Sequence, residues 1–113
     1  METIDICNKN FIADIKYIQD TLYVINGKWK ILIILSVGQG NKRFGEIGRA
    51  IPKITKKMLS KELKELVANK LISRIVHTKE NIVVEYELTE YCKTLSPLII
   101  EMIKWGKYHR RVI

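Results

Sequence analysis

Cysteine is scarce in this chain, two residues among 113, and Cys7 and Cys92 stand far apart with no CxxC or Cys/His ligand spacing. Neither a structural zinc site nor a disulfide framework is indicated, and a reducing, cytoplasmic setting is the expectation. Long apolar runs are missing too. The longest, Ile31 to Leu35, stops at Ser36, far short of the roughly 20 residues that a bilayer-crossing helix needs. Met1-Glu2-Thr3 has no basic n-region or apolar h-region, so neither export nor a membrane partner is expected. No nucleophile stands beside a base, and no recognisable carboxylate pair, phosphate-binding glycine loop or metal-ligand cluster is visible; the chain is not expected to be an enzyme, to bind a metal or to carry a cofactor.

Acidic residues are also few, 12 against 20 Lys and Arg, which leaves a net charge of +8. A polyanion is drawn to such a chain over distances near the Debye length, about 10 Å at 0.1 M salt. Nucleic acid is the leading candidate and an anionic membrane surface the second. The charge is concentrated: Lys42 to Lys64 holds eight basic residues and two acidic ones, a local balance of +6. Within it, Thr55 to Val67 has helical periodicity. Leu59, Leu63, Leu66 and Val67 stack on one side, and Lys56, Lys57, Ser60, Lys61 and Lys64 share the other. A core can hold such a helix while cations point outward.

The rest of the chain supplies a setting for that helix. Phe11, Ile15, Ile18 and Leu22 recur at helical steps and predict an amino-terminal helix from Asn10 to Asp20. A second helix is predicted over Thr21 to Val37, with Leu22, Ile25, Trp29, Leu32 and Ile33 on one side and Gly38 and Gly40 ending it. A short helix follows from Phe44 to Ala50, with Phe44, Ile47 and Ile51 inward. Pro52 stops it and Thr55 can cap the next one, so Ile51-Pro52-Lys53-Ile54 reads as the turn of a helix-turn-helix. Beyond Leu71 the period changes to two: Ile72 to His77 and Ile82 to Thr89 predict a hairpin across Lys79-Glu80-Asn81. A last helix from Glu90, kinked or restarted at Pro97, carries Leu95, Leu98, Ile99, Met102 and Trp105. No internal repeat or low-complexity segment interrupts this order. The fold class is mainly α with a small β-hairpin wing, a winged helix-turn-helix with an extra helix at each end.

Several segments together resemble the HxlR-type winged-helix transcriptional regulators of bacteria and archaea. Asn26-Gly27-Lys28-Trp29-Lys30-Ile31-Leu32-Ile33 is similar to the family's GKW segment, and Arg43-Phe44-Gly45-Glu46-Ile47 to the segment opening its short helix. Ile51 to Leu59 resembles the turn and start of the recognition helix, Val84 to Thr89 the second wing strand, and Trp105-Gly106 the close of the terminal helix. The likeness covers roughly residues 17 to 106. It implies a homodimeric protein that binds double-stranded DNA, with terminal helices making the dimer and the longer helix of the motif entering the major groove. Departures from the family pattern are specific. The turn often has glycine where Lys53 stands, the wing often has proline where Ile82 and Val83 stand, and glycine is usual near Cys92. A cysteine that some members use as a sensor would fall near Lys16, so that role does not transfer to Cys7.

The expected DNA-binding residues are Thr55, Lys56, Lys57, Ser60, Lys61 and Lys64 on the recognition helix, Arg43 opening the short helix, and Thr78, Lys79 and Asn81 at the wing tip. Lys56, Lys57 and Ser60 are assigned to base edges, and Arg43 and Lys64 to phosphate. Two apolar stripes beyond the needs of a small core predict a homodimer through Phe11, Ile15, Ile18, Leu98, Ile99, Met102 and Trp105. The whole is read as one domain: an arm over 1–20, the helix-turn-helix and wing over 21–89, and a dimerisation helix over 90–113. The expected function is a sequence-specific DNA-binding transcriptional regulator. The alternative is a winged helix that binds proteins, which needs no cationic face. No polar constellation marks a small-molecule effector site.

Overall fold

The computed structural model describes Cys7 and residues 11–113. Met1-Glu2-Thr3, where a signal would begin, and Asn10, the predicted start of the first helix, lie outside the described residues. A single 3-10 turn over Ile12–Asp14 leads into α1 (Ile15–Ile25), α2 (Lys30–Gly38), α3 (Phe44–Arg49) and α4 (Lys56–Ala68). A hairpin of β1 (Ile72–His77) and β2 (Val83–Leu88) follows, then α5 (Glu90–Lys93) and α6 (Ser96–Val112). This is the expected helical fold with a β-hairpin wing. Among the described residues no single helix is long and apolar enough to cross a membrane.

The expected boundary between the first two helices is corrected. α1 runs through Asp20 and Thr21, and the predicted helix over Thr21 to Val37 is broken between Ile25 and Lys30. Gly27 supplies the break by adopting φ +84°, a conformation that costs glycine little, and the chain bends there by 65°. Apolar periodicity runs across the gap because Ile25 and Ile33, from different helices, are both buried. Leu22 and Leu32, placed on that stripe by spacing, are exposed, while Ile34 and Val37 are buried. The end of α2 is as expected: Gly40 at φ +108° lets its own N–H reach Val37 O and the Asn41 N–H reach Ser36 O, closing the last carbonyls.

The core is assembled from α2, α3, α4 and the start of the hairpin, with Ile33, Ile47, Leu59, Leu63, Leu66, Leu71 and Ile72 almost fully enclosed. α3 approaches α4 closely at Gly48, where a Cβ would lie 3.3 Å from Leu59 Cδ2. The hairpin pairs Ile72 with Leu88 through His77 with Val83. Only its first residue, Ile72, is buried, so the expected alternation fades as the strands leave the core. Two contacts fix its base: Tyr86 N–H donates to Lys42 O at 2.7 Å, and the Thr89 hydroxyl donates to Lys70 O at 2.8 Å. Pro97 restarts the chain, lying in the first turn of α6 where its missing N–H has no partner to lose.

Candidate nucleic-acid interface

The geometry of α4 separates anchor from surface. Thr55 Oγ1 accepts the Met58 N–H at 3.1 Å and caps the helix start. Leu59, Leu63 and Leu66 are sunk in the core, whereas Lys56, Lys57, Lys61 and Lys64 are exposed and Ser60 is half-buried. Among the described residues no carboxylate stands within ion-pair distance of those four lysines. Lys56 and Lys57 moreover open the helix, whose first turn holds no acidic residue. Cations there oppose the positive end of the helix dipole, a cost of about 0.3–1 kcal/mol each that a bound anion reverses.

Glu62, which spacing counts against the motif's charge, is turned away from the cationic face. Lys30 Nζ donates to Glu62 Oε2 at 2.6 Å and to Glu65 Oε2 at 2.5 Å. Lys30 is 4% exposed and Glu62 7%, so this is an interior ion pair with a half-exposed third member. Burial disfavours the Lys30 ammonium, but the two carboxylates outweigh it and hold the pKa above the ordinary 10.5. The same hydrogen bond draws the Glu65 carboxyl below its ordinary 4.5. Sequence reading did not pair these residues, since they lie 32 and 35 positions apart.

Arg43 is exposed at the amino end of α3. Its guanidinium has no acceptor with which to cap the first-turn amides; Glu46 supplies only the return half of a capping box, its Oε1 accepting the Arg43 and Lys42 N–H groups at 3.1 Å each. Those amides, Arg43's first, hold the Glu46 carboxyl below its usual range. Thr78, Lys79 and Asn81 are exposed at the hairpin tip. His77 Nε2 lies 2.7 Å from Glu85 Oε1 across the strands. A residue that sequence reading missed is Arg74. It lines a cleft of about 390 Å³ between α4 and the hairpin, together with Ser60, Lys64 and Tyr86 over a floor of Phe44, Leu63 and Val67. Its signal was its register: a basic residue on the strand next to α4, opposite Tyr86.

The terminal helices present apolar side chains to solvent. No residue of α6 is buried, and Leu98, Met102 and Trp105 are exposed, Trp105 by 67%. Ile15 and Ile18 are likewise exposed and Phe11 is half-buried. Ile99 differs from the other α6 residues grouped with it: it is half-buried and lines a pocket of about 280 Å³ with Ile34, Leu88, Cys92, Ile100 and Ile103. Burial pushes the Cys92 thiol up, the opposite of what a reactive thiolate needs. His109 stacks on Trp105 with ring centroids 5.0 Å apart.

A capped helix with an anchored apolar face, a tight turn, a preceding short helix and a hairpin beside them define a winged helix-turn-helix protein. The profile of the HxlR-like helix-turn-helix family matches residues 24–112, and the chain belongs to that family, whose members are transcriptional regulators rather than enzymes. It is 41% identical over 96 residues to the HTH-type transcriptional regulator YybR of Bacillus subtilis, covering 85% of this chain and 77% of that one. An HTH-type regulator of Methanothermobacter thermautotrophicus is 44% identical over 85 residues, 75% of this chain and 65% of its own. Among solved structures, the redox regulator HypR in its reduced form superposes with a TM-score of 0.77 at 41% identity, over 85% of this chain and 95% of that one. A MarR-family transcriptional regulator from Enterococcus faecalis V583 does so with a TM-score of 0.76 at 30% identity, over 98% and 94%.

Proposed function

We propose that this transcriptional regulator binds double-stranded DNA sequence-specifically, as a homodimer in the cytoplasm, with α4 in the major groove. The observation that carries the reading is the row of exposed lysines on α4 with no carboxylate partner among the described residues, borne on a helix whose opposite face is locked in the core. Lys56, Lys57 and Ser60 reach base edges; Thr55 and Lys61 flank them, and Arg43, Lys64 and Arg74 neutralise phosphates. Thr78, Lys79 and Asn81 place the wing on the neighbouring backbone or minor groove. Phe11, Ile15, Ile18, Leu98, Ile99, Met102 and Trp105 contribute the dimer faces, so that residues 1–20 act as an arm and 90–113 as a dimerisation segment around the 21–89 reader.

Selection of bound duplexes from a random pool at two salt concentrations tests this. The expected product is a two-fold related site with half-sites about one helical turn, roughly 34 Å, apart. Failure to enrich any sequence, with binding that only tracks salt, overturns specificity; no binding in dilute buffer overturns the whole reading.

A further inference from the structure

Behind the cationic face proposed to read DNA, α4 carries an interior ion pair with α2. Lys30, Ser36 and Glu62 are the only buried polar or charged residues among those described, and two of the three meet here. Lys30 is the first residue of α2. Glu62 and Glu65, three residues apart on α4, flank the apolar side of that helix.

Apolar packing of Leu59, Leu63 and Leu66 holds this face of α4 in the core, but the hydrophobic effect is non-directional, so it defines the rotation of the helix less sharply than directional bonds do. Charge-assisted hydrogen bonds are short and directional. One ammonium held by two carboxylates on the same helix face restricts both rotation about the helix axis and sliding along it. The sensitivity is high: a rotation of about 20° moves a point at the roughly 5–6 Å outer radius of a helix by about 2 Å, more than a hydrogen bond survives. Lys30 is the hydrogen-bond partner of Glu65, whose carboxylate also feels the charge of Lys61 one turn earlier on the helix.

We propose that Lys30 is a positioning residue for base recognition: by holding Glu62 and Glu65 it fixes the rotation of α4 and so decides which base edges Lys56, Lys57 and Ser60 reach. The inference rests on α4 being the reading helix. It assigns the interior ion pair to specificity rather than to net stability, which such pairs supply poorly compared with apolar replacements.

The test is the triple variant Lys30→Met/Glu62→Leu/Glu65→Gln, which removes all three charges and leaves none buried alone. It is compared with the wild type for binding to the selected duplex against a scrambled one, for the salt slope, and for amide hydrogen exchange across α4 without DNA. The expected result is a folded protein whose discrimination falls about tenfold or more while the salt slope changes by less than about 1, with α4 amides exchanging faster and the hairpin amides unchanged. Wild-type discrimination in the folded triple variant, or unchanged α4 exchange, overturns the proposal. Should the triple variant not fold, Glu65→Gln alone is used; a several-fold loss of discrimination supports the proposal and none overturns it. A wild type that selects no sequence sinks the DNA reading instead, and α4 exchange then decides the clamp by itself.

Discussion

Lys53 and Lys70 bracket α4 in the same left-handed backbone conformation, with φ of +70° and +64°. Lys53 makes the turn into the helix. Lys70 ends it, with the Lys70 N–H on Val67 O and the Leu71 N–H on Leu66 O, the paired closure of a Schellman motif. A residue with a Cβ pays about 1–2 kcal/mol for this conformation, and glycine returns part of that as unfolded-state entropy. Lys53→Gly and Lys70→Gly are therefore each expected to stabilise the fold by about 0.5–1 kcal/mol, visible as a Tm rise of a few degrees. A lower Tm for either variant would show that the lysine side chain contributes packing worth more than the strain.

Lys57 is expected to separate stability from binding. It lies in the first turn of α4, where a cation meets the positive end of the helix dipole. Lys57→Glu should raise stability by about 1 kcal/mol and abolish binding to the selected duplex. Lys57→Ala should cost about 1–3 kcal/mol of discrimination at one base pair, whereas Lys64→Ala should weaken all duplexes alike and lower the salt slope by about 1. Chemical denaturation and binding titrations at several salt concentrations measure both. Unaltered binding by Lys57→Glu would remove Lys57 from the interface.

What sequence reading reached and what it missed follow from range. α3, the turn, α4 and the hairpin are set by local signals: Pro52, the Thr55 cap and a change of period after Leu71. Their observed bounds, Phe44–Arg49, Lys56–Ala68 and Ile72–His77, lie close to the predicted ones. The break at Gly27 was local too, but it was masked because Ile25 and Ile33 are buried from two helices that share an apolar rhythm. The interior partnership of Lys30 was beyond reach, because nothing near Lys30 or Glu62 in the chain announces the other, and a Glu on a lysine-rich helix reads as solvated. Arg74 needed the hairpin register before it could be placed beside Lys64.

The Lys30 pair predicts a signed response to pH. The lysine's folded pKa is raised, so its stabilising charge is fully present below the ordinary 10.5 and is lost as pH rises through the higher folded value. Glu65 is depressed, so its contribution is present above the ordinary 4.5 and fades as pH falls through the lower folded value. Urea unfolding should thus show a plateau between these limits with an alkaline decline. In Lys30→Met the decline should shrink, over a fold weakened at neutral pH by about 3–5 kcal/mol, because Glu62 is left buried without its cation. An alkaline decline of equal size in both proteins would assign it to other groups.

The apolar faces of α1 and α6 lead to a prediction about assembly that the monomer's packing makes clean. Met102 and Trp105 are exposed in the single chain, so changing them removes little from its own core, unlike Ile99, which is half-buried and lines an open pocket with the core residues Ile34 and Cys92. Exposed apolar side chains along a helix with no buried residue leave water only by meeting another surface, and a two-fold pairing places the same patch on both copies. Met102→Glu with Trp105→Ala should therefore leave Tm nearly unchanged at low concentration while converting a micromolar dimer to monomers in sedimentation. Because each monomer then binds one half-site without the benefit of linkage, affinity for the full site should drop about 10²–10⁴-fold, with affinity for an isolated half-site retained. A wild-type monomer at micromolar concentration would reject the dimer. A monomeric variant that still binds the full site at wild-type affinity would show that one chain suffices for recognition.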